Sequence, residues 1–238
     1  MSKLKLFCIP YAGGTSIVYS KWRQYLDSRV ELHAVELAGR GKRVDDKLYD
    51  DLKHAVDDIY ESIKNEICNG SYALFGHSMG SLLAYELYYK IREQNLNCPV
   101  HIFFSGYKAP NIGPSDGDEN YHDLPENCFK KKLVKLGGMP KEILEDAAFK
   151  FFSPIIRADF KILELYKYVE KNERIGCPVS VFSGKKDKGI KVSDLTGWKQ
   201  HTELECNIHK FNGGHFFIKD DMENVLGAIN NTLLKYIY

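Results

Sequence analysis

The segment Leu74–Leu87, "LFGHSMGSLLAYEL", constrains the fold more than any other stretch of the chain. "YALFGH" (72–77) is an apolar run of strand length and "MGSLLAYELYYKIRE" (79–93) has the spacing of a helix, so Ser78 alone is left to turn the chain. A turn that tight has no room for side chains at its flanks, where Gly76 and Gly80 stand. It predicts a strained backbone at Ser78 that exposes its hydroxyl beside a helix N-terminus, where developing negative charge is favoured. The bland alternative is a glycine-rich turn with an incidental serine; the strand before it and the helix after it argue for a presented nucleophile.

The same alternation runs along the chain. "LKLFCIP" (4–10) reads as a strand ending in the glycine loop "YAGGTS", "SIVYSKWRQYL" (16–26) as a helix and "VELHAVEL" (30–37) as a strand. Leu48, Leu52, Val56, Ile59, Ile63 and Ile67 recur at steps of four and three, which predicts a helix with one buried face. Further strands are expected at 99–106, 177–184 and 204–211, a helical segment around Leu195 to Lys199, and a last helix near Met222 to Lys235. Such a chain folds as α/β, with a mostly parallel central sheet and helices on both faces. With 238 residues and 44% apolar content, one domain over 1–238 is expected.

Residues 107–176 are too long for an ordinary crossover. They hold three helical patterns, "ENCFKKKLVKL", "PKEILEDAAFKFF" and "PIIRADFKILELYKYVEK", each opened by or near a proline. An insertion above the carboxyl ends of parallel strands covers the place where such sheets bind ligands, so it is expected to be a helical lid. Its apolar residues, among them Phe149, Phe151, Phe152, Ile155, Ile156, Leu163 and Leu165, either line a channel or pack a core.

Composition excludes several function classes. Lys plus Arg total 33 against 32 for Asp plus Glu, so no overall charge draws the chain to nucleic acid or an anionic membrane. No apolar stretch approaches a membrane span, and the N-terminus leaves no room for a signal-peptide core. The six cysteines, Cys8, Cys68, Cys98, Cys128, Cys177 and Cys206, are widely spaced, which fits buried thiols in a reducing cytosol. Cys98 and Cys177, each followed by Pro-Val, are expected to start strands. No metal-ligand spacing or phosphate loop competes with the serine, and neither metal nor bound cofactor is expected.

A serine nucleophile needs a base, and the base an orienting acid. Behind a strand–serine–helix elbow these follow in the order Ser, Asp or Glu, His, in loops after later strands. Asp187 lies just past the strand of "VSVFSGKKDKGI", and His215 just past that of "IHKFNGGHFF". Among the rivals, Asp194 is expected to cap a short helix, and Asp220 and Asp221 the last one. His33, His101 and His209 fall in strands, His54 on a helix, His122 and His201 in polar loops, and His77 in the elbow itself. The oxyanion requires two backbone N–H donors, for which Met79 after the nucleophile and Ala12 in "PYAGG" are the candidates.

In these motifs the chain resembles the external, type II thioesterases that accompany nonribosomal peptide and polyketide synthases, on an α/β-hydrolase fold. The likeness rests on "FCIPYAGGTSIVYSKW", "ELAGRGKR", "ALFGHSMGSLLAYEL", "KLGGMPKEIL", "PIIRADFKILELY", "SGKKDKGI" and "FNGGHFFI". It departs at Ala38-Gly39-Arg40, where the family usually has Pro-Gly-Arg. The resemblance implies Ser78 as nucleophile, His215 as base, Asp187 as orienting acid, and Ala12 and Met79 as oxyanion donors. It also implies hydrolysis of acyl thioesters from the phosphopantetheine arm of acyl or peptidyl carrier protein domains, often to remove a wrong or stalled acyl group, with editing expected ahead of priming control or product release; a monomer is the default expectation. Carrier proteins are generally acidic, so Lys130, Lys131, Lys132, Lys135, Lys185, Lys186 and Lys188 are either docking charges or a solvated face. An acyltransferase or general carboxylesterase on the same scaffold, or a non-catalytic synthase-binding scaffold, are the alternatives.

Overall fold

Apolar strands pair in parallel where both of their faces can be covered, and the backbone of this protein follows that rule. The computed structural model describes residues 3–113, 120–137 and 149–237. Strands β1 (Leu4–Ile9), β2 (Val30–Ala34), β3 (Tyr72–His77), β4 (His101–Ser105), β5 (Val179–Gly184) and β6 (Cys206–Phe211) form one sheet in the order β2-β1-β3-β4-β5-β6. Every adjacent pair is parallel. The α/β expectation holds.

Period-two alternation sends neighbouring side chains to opposite faces. Leu74, Phe104 and Val181 pack with helices α1 (Leu52–Ile67) and α2 (Met79–Glu93) and with Trp198, whose ring stacks on Phe104 at 3.9 Å. Phe75, Phe103 and Phe182 face the other way, toward Trp22 and helix α7 (Met222–Leu233). Helix α1 buries Leu52, Val56, Ile59, Ile63 and Ile67, as the spacing predicts; it starts after Asp51, whose carboxylate accepts the His54 N–H at 2.8 Å, so Leu48 lies outside it.

Several boundaries differ from the expectation for identifiable reasons. Residues Ser16–Gln24 form a 3₁₀ helix, burying Tyr19 and Trp22 at the three-residue spacing that such a helix eclipses. The 107–176 insertion contributes α3 (Glu126–Leu136) and α4 (Phe149–Glu164), and α4 continues through Pro154. Proline removes one N–H there, and Lys150, four residues earlier, is exposed, which leaves its carbonyl within reach of water. The start of the second lid pattern, 140–148, lies outside the described residues. Short helices α5 (Val192–Thr196) and α6 (Phe217–Asp220) follow β5 and β6. Asp194 caps α5 by accepting the Lys191 N–H at 2.7 Å. Asp221 stands at the start of α7, but its carboxylate binds the Asn212 N–H and the Asn224 side chain instead of the helix backbone. His201 closes a 3₁₀ turn and is buried, not looped. Cys68 and Cys128 are exposed, unlike the buried thiols expected, and Cys98 and Cys177 precede their strands instead of starting them. Among the described residues no helix is long and apolar enough to cross a membrane.

This order positions the site. The chain goes from β1 outward to β2 and then returns to lay β3 on the other side of β1, so the strand order reverses between β1 and β3. Loops after those two strands diverge and open a crevice at their carboxyl ends. "PYAGG" and Ser78 both begin there.

Within the sheet, His101 is held as the neutral imidazole, its Nε2 2.9 Å from Ser180 Oγ. Burial, then the charges of Lys235 and His209, push its pKa down from 6.5 to about 4. Between those values the unfolded chain takes up a proton that the folded one refuses, so stability falls as pH drops through this window. The predicted slope is at most about 1.4 kcal/mol per pH unit for this group. Urea denaturation at pH 4.5 to 7 should show it, and His101→Gln should lessen the slope without abolishing it, because buried His77 is also held below its ordinary pKa.

Candidate active site

Ser78 has φ +54° and ψ −118°, a left-handed conformation that non-glycine residues seldom adopt. The cause is close backbone approach on both sides. A Cβ at Gly76 would collide with the Gly80 carbonyl, and one at Gly80 with the Ile9 carbonyl at the end of β1. Ser78 N–H donates to Ser105 O at 2.7 Å, tying the elbow to β4. The buried Ser81 hydroxyl lies 2.7 Å from Gly76 O and 2.9 Å from Ser105 O, and accepts the Ser105 N–H at 2.9 Å. Ser81 was invisible as a site residue in the sequence because its partners come from another strand.

Asp187 and His215 meet as their loops predict. His215 Nδ1 lies 2.8 Å from Asp187 Oδ2, while Asp187 Oδ1 accepts the Gly189 N–H at 3.0 Å. A carboxylate only accepts, so the imidazole carries its proton on Nδ1 and keeps the Nε2 lone pair for a substrate. The loops behind them touch: a Cβ at Gly184 would strike the Gly214 carbonyl, and Lys186 N–H donates to Gly213 O at 2.9 Å. Asp194, the rival acid, is spent on its helix cap.

His77 supports this arrangement from below. Its ring centroid is 5.3 Å from that of His215, with Gly106 at φ +65° leaving space for both; a Cβ there would sit 2.8 Å from His77 Cε1. Burial, then the neighbouring His215, push the His77 pKa well below 6.5. The ring is therefore neutral and does not oppose a positive charge forming on His215. His77 Nδ1 pairs with Ser105 Oγ at 2.9 Å.

Ser78, His215 and Asp187 open on one cavity of about 930 Å³, which Ala12 also lines. Met79 begins α2, so its N–H is one of those at a helix N-terminus without an intrahelical acceptor. The walls are apolar, with Leu133 and Leu136 from α3, Phe152, Ile156, Phe160 and Leu163 from α4, and Phe216. Of the insertion's apolar residues weighed between channel and core, Phe152, Ile156 and Leu163 line the cavity, Phe149 packs with Phe129 and Leu133, Ile155 is half-buried, and Phe151 and Leu165 are exposed. Lys108, Lys132, Lys135, Lys186 and Lys188 surround this space, and Asp187 is the sole carboxylate among its described lining residues.

A serine on a strained elbow, a histidine oriented by a buried acid, and an apolar chamber fit acyl transfer through a serine ester. The thioesterase domain model matches residues 4–233 of the chain. The protein belongs to the thioesterase family. Among its relatives, the gramicidin S biosynthesis protein GrsT of Aneurinibacillus migulanus is 36% identical, over 91% of this chain and 84% of its own. The medium-chain S-acyl fatty acid synthase thioesterase of Homo sapiens is 33% identical, over 97% and 86%. The crystal structure of ClbQ, from the colibactin nonribosomal peptide and polyketide synthase pathway, matches with a TM-score of 0.91 at 33% identity, covering 98% of both chains.

In this thioesterase the elbow glycines are testable by sterics alone. Gly76→Ala forces a side chain into backbone that has no rotamer to yield, so both the melting temperature and hydrolysis should fall, with Ser78 losing its reactivity toward a fluorophosphonate probe. A folded Gly76→Ala protein labelled at the wild-type rate would contradict this account of the turn.

Proposed function

We propose that Ser78 is the nucleophile, His215 the general base and Asp187 its orienting acid, acting on acyl thioesters presented by the phosphopantetheine arm of a carrier protein domain. The observation that carries this reading is the Asp187–His215 hydrogen bond at 2.8 Å, opening on the same cavity as the strained Ser78. His215 Nε2 takes the Ser78 proton as Oγ adds to the thioester carbonyl. The oxyanion is held by the N–H groups of Ala12 and Met79. Collapse expels the thiolate, which leaves with the proton from His215 and departs as the free arm. Water, deprotonated by the same nitrogen, then adds to the acyl-Ser78 ester and releases the acid. Family membership supports thioester hydrolysis, and relatives named for gramicidin S, colibactin and fatty acid synthesis support a synthase setting.

The helical insertion serves as the lid over this chemistry. Its α3 and α4 supply the apolar acyl chamber, and a chamber of that size suits clearance of varied acyl groups, the editing task. The surrounding lysines suit the arm's phosphate and an acidic carrier surface. The enzyme needs no bound cofactor, because the phosphopantetheine arrives on the substrate; it acts as a monomer in the cytosol.

Hexanoyl-N-acetylcysteamine should yield free hexanoic acid and free thiol, with Ser78→Ala slower by at least about a thousandfold. Transfer of the hexanoyl group to an alcohol, with no free acid, would replace hydrolysis by the acyltransferase reading. Lys135→Glu with Lys188→Glu should raise the KM for an acyl-carrier several-fold and spare the small thioester; equal effects on both would remove the docking role.

A further inference from the structure

Helix α4 reaches the loop after β1 through Asp159. Asp159 Oδ2 accepts the Gly13 N–H at 2.7 Å and Arg40 Nη1 at 2.5 Å, and Oδ1 accepts Arg40 Nη2 at 2.7 Å. Arg40 also donates to Gly14 O at 3.3 Å and to Ala38 O at 3.2 Å. Both side chains are essentially sealed from solvent, at 1% and 2% exposure. Three segments far apart in sequence, the loop after β1, the loop after β2 and the lid helix, therefore converge on one ion pair.

The pair grips a particular peptide. Gly14 N–H donates to Tyr11 O at 2.8 Å and Gly13 has φ +76°, while Ala12 keeps a negative φ. Tyr11–Gly14 is thus a type II turn, and the Gly13 N–H belongs to its central peptide, the one whose flip interconverts types I and II. Asp159 holds that peptide by its hydrogen. Ile156, one helical turn earlier, closes over the same residue, since a Cβ on Gly13 would lie 2.6 Å from its Cγ1. Arg40 cancels the carboxylate charge, which would otherwise oppose an oxyanion a few atoms away. Apolar packing in place of a buried ion pair is often no less stable, so stability alone gives little reason for this one.

We infer that Asp159, with Arg40 as its counter-charge, is a positioning residue that fixes the oxyanion-binding turn, so that seating α4 on Tyr11–Gly14 is a condition for turnover. This rests on Ser78 as nucleophile and Ala12 N–H as oxyanion donor. Asp159→Asn breaks the fork while keeping the shape of the side chain. Arg40→Met with Asp159→Leu removes both charges together and leaves no lone buried ion. Hydrolysis of p-nitrophenyl hexanoate reads the effect, because that ester needs the serine and the oxyanion donors but no carrier. A wild-type rate in Ser78→Ala would overturn the nucleophile assignment and this inference with it.

The expected result is a kcat lower by about tenfold in Asp159→Asn and by about a hundredfold in the double variant, with KM changed by less than about threefold. Affinity for a hexyl trifluoromethyl ketone, whose adduct carries the oxyanion, should fall in step with kcat, while affinity for the matching methyl thioether stays near that of the wild type. A folded double variant with wild-type kcat and ketone affinity would reduce the pair to a structural staple. Equal losses toward ketone and thioether would show that α4 shapes the chamber and not the turn; either outcome overturns the inference.

Discussion

Close backbone contact at the head of α2 is the constraint on which the rest of the site depends. Gly80 lies so near the Ile9 carbonyl, and Gly76 so near Gly80, that no side chain fits at either position. That contact locks the end of β1 to the start of α2 and forces Ser78 into its left-handed turn. It also sets Ser78 beside the Tyr11–Gly14 turn, since β1 and β3 are adjacent in the sheet. Without that approach, a serine after β3 and a loop after β1 would share a sheet but not a reaction centre.

The parts of this design that are local in sequence could be read there. The elbow, the loops of Asp187 and His215, and the strand-helix alternation each depend on a few consecutive residues and their spacing. What could not be read is long-range. Arg40 and Asp159 stand 119 residues apart, and neither "AGR" nor "RAD" states that one will be the other's partner. Ser81 passes for an ordinary helix residue until β4 lies beside it. Two differences have the same origin: Pro154 reads as a helix start but is tolerated inside α4, and the helix read over 16–26 winds as 3₁₀ and ends at Gln24, with Tyr19 and Trp22 buried. Tertiary context decided both.

Charge at the site is divided by burial. Inside, His77 is kept neutral, the Asp187 carboxylate is engaged by His215 and Gly189, and Arg40 and Asp159 cancel each other. At the cavity the described lining carries lysines with one carboxylate, so the field favours an anion approaching with its acyl end toward Ser78. On the proposed reading, the arrangement separates two tasks that a single set of charges cannot perform: attracting an anionic carrier, and leaving the reacting carbonyl in a preorganised, nearly neutral setting.

On the proposed reading, Ser78 removes acyl groups from a carrier-bound arm. Intact-mass analysis of an acetyl-loaded carrier protein, incubated with the wild-type enzyme and in parallel with Ser78→Ala, tests it most directly. Loss of the acetyl group with the phosphopantetheine arm retained is expected, and only when Ser78 is present. Persistence of acetyl and of longer acyl and aminoacyl loads, in an enzyme that still cleaves free esters, would contradict it.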